Sequence, residues 1–452
     1  MIASEKGNID RYQLIRERLR IGQAMPCHAF TRYGVLLLAQ GEILTTPTQL
    51  DRLSYPDVIF SNEPPPVLVP AILERQANLG IIENSPIDSQ LAEEMAALPV
   101  GKEFEEQSIE LKEFAPTASF AEELVAVREL YQDTAYYIVD LLAQVRVGKP
   151  IDLYETTTLV SRMLDSLQRN ARALTSLVRL KDMDTYTFTH SINTCIFSLM
   201  LARHVNPKID LNVLGIGALL HDIGKTFLPP DLLSKEDSLT QSEWELIRMH
   251  PEAGVDVIKQ AKGYQKEYLD AILQHHERLD GTGYPSQLGG EGIAFMSRIV
   301  SIADVYDAMT SERPYRASFS PPMAMRWLNS HAGVLFDLEL VRTFIAVIGI
   351  FPVASLARLN TGELAIVVKV NPRAVLKPII LVVSDADGTP LFEPKLINLA
   401  LPPFLNSKEI LGLEDPHFFK IDVDKYLASV SEERIAELES ESLTISTLDI
   451  LA

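Results

Sequence analysis

The sequence predicts a mainly α protein, with an all-helical central domain, a small mixed unit before it and a small β-rich appendage after it. Apolar residues recur at helical spacing from Phe120 to Val147 and again from about Leu153 to Leu180. The runs Gly362–Val370 and Pro378–Val383 are instead rich in β-branched residues, and the Asp385–Pro390 turn cluster follows them. Asn62-Glu63-Pro64-Pro65-Pro66 reads as a linker that sets the first 63 residues apart.

Within residues 1–63, Gly34–Ala39 followed by Gln-Gly reads as a strand and turn, and Thr45–Leu53 as a helix opened by a threonine cap. This unit is expected to regulate the protein or to bind a partner. Residues 64–149 form a helical linker region, closed by Gly148-Lys149-Pro150. Leu124, Val127, Leu130 and Tyr131 share one face of its last helix. Residues 150–349 make the main helical domain and 350–401 the β appendage. The final stretch, 402–452, is acidic with a helix expected over Glu432–Glu441. The apolar stripes of the two long helices are wider than a lone surface helix needs, so they are expected to pack as a hairpin or as a dimer interface.

Across 452 residues the chain carries a net charge of −20, which disfavours nucleic-acid polymers and anionic membranes as partners. A small anionic substrate would then need a local positive site. Only two cysteines, Cys27 and Cys195, are present, which argues against a disulfide framework or a cysteine-rich zinc module. No apolar run is long enough to span a bilayer, and a cytoplasmic location is expected.

The chemistry concentrates between residues 190 and 304. His221-Asp222 follows the apolar run Leu214–Leu220, His275-His276 follow Ile272-Leu273, and Asp304 follows Ile299–Ala303. His190 and His250 stand in the same stretch. Imidazoles and carboxylates at the ends of apolar helix faces are what a buried divalent metal centre needs. A lone histidine on an apolar face is usually a core residue, but this many together would be costly without a compensating cation. Asp222 has two carboxylate oxygens and can bridge two metals, which together can activate a hydroxide for phosphoryl transfer. Lys225, at i+4 from His221, either binds a phosphate oxygen or complements a helix C-terminus; spacing alone leaves both open.

His221-Asp222-Ile223-Gly224-Lys225, His275-His276-Glu277 and Asp280-Gly281-Thr282-Gly283-Tyr284-Pro285 resemble the motifs of the HD-GYP family. Arg298–Ser311 and Arg313-Pro314-Tyr315-Arg316 extend the likeness over about residues 150–345. The resemblance implies a bacterial phosphodiesterase that opens cyclic di-GMP to pGpG, with GMP as a further product, using iron or manganese. It implies His190, His221, Asp222, His250, His275, His276 and Asp304 as metal ligands and a catalytic or phosphate-binding role for Lys225. Gly283, Tyr284 and Pro285 would line the substrate entrance, and Arg313 and Arg316 would hold substrate. Members with three metals carry a glutamate one turn before the first histidine; here that position is Tyr186, which implies two divalent ions. Two alternatives stay open: a cyclic di-GMP sensor that docks diguanylate cyclases (GGDEF proteins) with little turnover, and a hydrolase for another cyclic dinucleotide.

Overall fold

The computed structural model describes residues 114–449 apart from 179–185, 206–207, 234, 236–238 and 312–318, together with scattered positions before residue 113. The chain divides into two units, Met1–Asn78 and Leu79–Ala452. In the first, β1 (His28–Thr31), β2 (Leu36–Leu38) and β3 (Val58–Ser61) form an antiparallel sheet in the order β2-β1-β3. The strand expected over Gly34–Ala39 is there as β2. The helix expected over Thr45–Leu53 and the proline linker lie outside the described residues.

The second unit opens with α1 (Phe120–Arg146). Ser119 and Glu122 form a capping box at its start, each side chain satisfying a backbone N–H of the other. Gly148, at φ 69°, turns the chain out of the helix in a conformation that glycine adopts without strain. α2 (Tyr154–Leu177) then packs along α1 as a hairpin. α2 is broken at Asn170, whose backbone leaves the helical region. The Asn170 Oδ1 accepts from the N–H groups of Arg172 and Ala173, so this residue caps the second half of the helix.

The helical core continues with α3 (Tyr186–Val205), α4 (Leu211–Leu219), α5 (Pro230–Leu233), α6 (Gln241–Ile247), α7 (His250–Lys259) and α8 (Tyr268–Gln274). It closes with α9 (Phe295–Thr310), α10 (Pro321–Ser330) and α11 (Leu338–Ile348). α4 is buried at every residue from Val213 to Leu219, as an all-round apolar helix must be. α3 packs on α4, α9 and α11, and α8 packs on α4, which gathers the ends of several helices around one point.

β4 (Leu356–Leu359), β5 (Leu364–Lys369), β6 (Ile379–Ser384), β7 (Pro390–Asn398) and β8 (Ile410–Glu414) form one antiparallel sheet, in the order β7-β6-β5-β4-β8. The appendage therefore does not stop at 401, because β8 supplies its edge by pairing with β4. Every β8 residue keeps some exposure, so the strand gives no strong apolar signal in sequence. β6 is buried at every position and β5 at all but its last, which requires cover on both faces. The sheet, α1 and the helical core lie together in the second unit. The chain ends with α12 (Pro402–Leu405), α13 (Val423–Ala428) and α14 (Glu432–Asp449). No helix among the described residues is long and apolar enough to cross a membrane.

The break in α2 is pinned to the C-terminus. Arg172 places a forked ion pair on Glu432 at 2.8 and 2.9 Å and donates to the Val368 carbonyl of β5, while Asn170 donates to Ala118 and Glu432. Arg172 is only 11% exposed, so Glu432→Ala leaves a nearly buried guanidinium without its counter-ion. Urea denaturation should show a loss on the order of 3 kcal/mol.

Candidate metal centre

The expected ligands gather at one buried focus from several different elements. His190 lies on α3, His250 opens α7, His275-His276 follow α8, and Asp304 lies on α9. His221-Asp222 does not lie on a helix as expected, but in the turn between α4 and a 3₁₀ helix over Ile223–Phe227. That difference moves Lys225. With three residues per turn, a 3₁₀ helix eclipses i and i+3, so Lys225 meets Asp222 rather than His221. Its Nζ donates to the Asp222 carboxylate at 2.7 Å, with both groups buried or nearly so.

The 3₁₀ helix sits directly against the start of α7. A Cβ at Gly224 would stand 1.9 Å from the His250 carbonyl oxygen and 2.5 Å from the Gly254 nitrogen, so only glycine lets Asp222 approach His250. Gly283 has a similar role. A Cβ there would lie 2.5 Å from the His276 carbonyl oxygen and from the Glu277 Cα, where the loop folds back on the paired histidines. Glu277 then ties the loop down, accepting from the Ser286 and Leu288 N–H groups at 2.7 and 3.0 Å.

Three imidazoles are held in the same way. Nδ1 of His221, His250 and His275 lies 2.8–2.9 Å from the carbonyl oxygen three residues earlier, Ala218, Ile247 and Ile272 respectively. Nδ1 must donate there, which leaves Nε2 of each neutral ring as a bare acceptor turned inward. Nε2 of His250 then faces Nε2 of His275 at 3.2 Å, two lone pairs in contact. Nε2 of His221, Nε2 of His276 and Oδ1 of Asp222 are buried with no hydrogen-bond partner. Imidazole and carboxylate atoms gathered inward in this way fit divalent metal ions.

The ligand atoms fall into two groups, Asp222 with His250, His275 and His276, and His190 with His221 and Asp304, each within 4.8 Å of one another. Asp222 also joins the groups, since its Oδ1 is 3.3 Å from His250 Nε2 and its Oδ2 is 3.3 Å from His221 Nε2. The charges are tightly balanced. Burial opposes charge on His221, but the Asp222 and Asp304 carboxylates outweigh it and push its pKa up to about 10, so a metal ion taking its Nε2 would displace a proton. Burial also opposes ionisation of Asp222, yet His221 and Lys225 hold it well below the usual carboxylate range. Burial pushes His275 down to about 4, a neutral ring ready to ligate.

The structure adds one residue to which the sequence gave no role. Asp307, fully buried one turn after Asp304, lies 2.8 Å from Nδ1 of His190. It therefore does for His190 what a carbonyl does for the other three rings. The i+3 spacing of Asp304 and Asp307 on an apolar helix was the available signal. The Tyr284 ring stacks on His276 at 4.7 Å. Gly283 and Tyr284 are buried, so of the three loop residues expected at a substrate entrance only Pro285 is accessible. Arg313 and Arg316 lie outside the described residues, as does the side chain of Tyr186.

Residues 165–340 match the HD domain model. That match assigns this stretch, rather than the chain as a whole, to the HD domain. Residues 356–406, most of the C-terminal sheet, match the KOW domain associated with the HD domain. The chain is 38% identical over 242 residues to cyclic di-GMP phosphodiesterase PA4108 of Pseudomonas aeruginosa, covering 53% of this chain and 58% of that one. It is 33% identical over 184 residues to the cyclic di-GMP phosphodiesterase response regulator RpfG of Xanthomonas campestris, covering 40% and 47%. These matches thus span about half the length of the curated relatives. Among solved structures, Bd1817, a HDG"Y"P protein from Bdellovibrio bacteriovorus, aligns with a TM-score of 0.45 and 18% identity, over 72% of this chain and 95% of that one.

Asp307 yields a direct test. Asp307→Asn keeps the shape of the HD domain core but weakens the hold on the His190 tautomer. Manganese titration should show an affinity lower by about 10–100-fold, the usual cost of losing an outer partner of a ligating histidine.

Proposed function

We propose that the HD domain hydrolyses a phosphodiester bond of cyclic di-GMP to give pGpG, with GMP as a second product, at a centre of two divalent metal ions, iron or manganese. The observation that carries the proposal is the pair of inward Nε2 lone pairs of His250 and His275 at 3.2 Å, repeated around the focus by the unpartnered Nε2 atoms of His221 and His276. The substrate class is supported by the two relatives named cyclic di-GMP phosphodiesterases. His190, His221 and Asp304 would hold one ion and His250, His275 and His276 the other, with Asp222 between them. When bound, the ions supply an activated water and neutralise charge on the phosphodiester.

The chain's own groups do the rest. Lys225 holds Asp222 in place and can share its protons with a phosphate oxygen as negative charge develops. Gly283 and Tyr284 fix the His276 ring, and Pro285 faces the substrate side. Arg313 and Arg316 bind the substrate. The ligand set is complete without a carboxylate from position 186, which supports two ions. A second substrate deserves the same assay, because the chain is also 31% identical over 168 residues to 3'3'-cGAMP-specific phosphodiesterase 3 of Vibrio cholerae.

Purified anaerobically and loaded with iron or manganese, the chain should hold two metal equivalents and convert cyclic di-GMP. Three tightly held equivalents would overturn the two-ion assignment. Absence of hydrolysis with both metals bound would leave the sensor alternative standing. Asp222→Ala should abolish turnover and lower the metal content. Arg313→Ala should keep both metals and lose roughly tenfold to a hundredfold in kcat/KM, the effect of one charge-assisted contact. An unchanged kcat/KM would return Arg313 to the surface.

A further inference from the structure

α1 lies before the stretch that matches the HD domain model, yet it reaches the metal centre twice. Its Tyr131 hydroxyl donates to Asn193 Oδ1 at 2.9 Å. Asn193 Nδ2 donates to Asp307 Oδ1 at 2.8 Å, and the other oxygen of Asp307 takes the His190 Nδ1–H at 2.8 Å. Further along the same helix, Ile138 and Leu141 line a cleft together with His190, Asp222 and Lys225.

We propose that Tyr131 is a positioning residue, which fixes the His190 ring through Asn193 and Asp307, so that α1 is a working part of the metal centre. The direction of every bond in the relay is forced. A carboxylate can only accept, so Asn193 must turn its NH₂ to Asp307 and its carbonyl oxygen to Tyr131, and the phenol must donate. Asn193 is 1% exposed, with no water to replace a lost partner. Burial, with the Asp307 charge behind it, raises the Tyr131 pKa well above its ordinary value and keeps the phenol a donor. Thr189, next to His190, hydrogen-bonds the same phenol, so Tyr131 touches the chain on both sides of the ligand. Without the hydroxyl, the buried Asn193 carbonyl oxygen loses its donor, and the amide is held in place only by its bond to Asp307. That would loosen the His190 ring, which no backbone carbonyl three residues earlier holds.

The inference rests on His190 being a metal ligand, and the test separates the two claims. Manganese(II) alone is titrated into the full metal-free chain and into Tyr131→Phe, with free ion followed by electron paramagnetic resonance. The expected result is one site weakened by about tenfold, the other unchanged, and the melting temperature of the metal-free chain unchanged. In an Asp307→Asn background the same substitution should add less than about twofold, because the relay is already cut. Turnover of Tyr131→Phe should show a lower kcat at constant KM. Superimposable manganese isotherms would overturn the inference. A melting temperature that falls together with both affinities would also overturn it, by making Tyr131 a packing residue. A wild-type chain that takes up no manganese would remove the metal reading itself, and the inference with it.

Discussion

The imidazole lone pairs at the centre of the helical core are the constraint on which the structure depends. A backbone carbonyl three residues earlier fixes each of three rings, so their free nitrogens can point only inward. Each buried acceptor left without a partner costs about 1–3 kcal/mol. A fold that collects several of them in one place is stable there only through charge compensation. Stability and metal affinity are then linked, since whatever fills the centre contributes to folding. The helix ends that deliver the ligands are consequences of the same requirement: α4 stops at Leu219, α8 at Gln274, and α7 begins at His250.

The motif letters between the ligands serve a second constraint, that of distance. Gly224 and Gly283 are not near the focus for their flexibility. Each stands where a side chain would collide with the backbone that carries a histidine. One lets the turn bearing Asp222 lie on α7, and the other lets Tyr284 lie on His276. Ligand residues supply the chemistry, while these two supply the close approach without which the ligands would be several ångströms apart.

The buried imidazoles and carboxylates of the candidate centre were legible in sequence because such residues beside apolar runs are conspicuous, and the long helices because their periodicity is sustained. What stayed hidden depended on geometry that one-dimensional spacing does not carry. The 3₁₀ helix after Asp222 looks like a continued α-helix in sequence, which puts Lys225 on the face of His221 and hides its contact with Asp222. β8, which keeps some exposure throughout, gave no alternation to find, and β4 is only four residues long. Asp307 and Tyr131 look ordinary, an acid one turn past another acid and a tyrosine in an apolar stripe. Their roles come from residues more than a hundred and about sixty positions away in sequence.

The pairing of Lys225 with Asp222 has a consequence for how an anion arrives. Lys225 is buried at the focus and already neutralised by Asp222, and it projects little field into solvent. The chain as a whole is strongly negative, at −20. The net charge of the chain would therefore oppose the approach of an anion, and Lys225 does little to offset it. Raising ionic strength shortens the Debye length, to about 8 Å near physiological salt, and lowers that barrier. Under the proposed function, the ions held at the centre would supply the local attraction for an anion that Lys225, already paired with Asp222, does not.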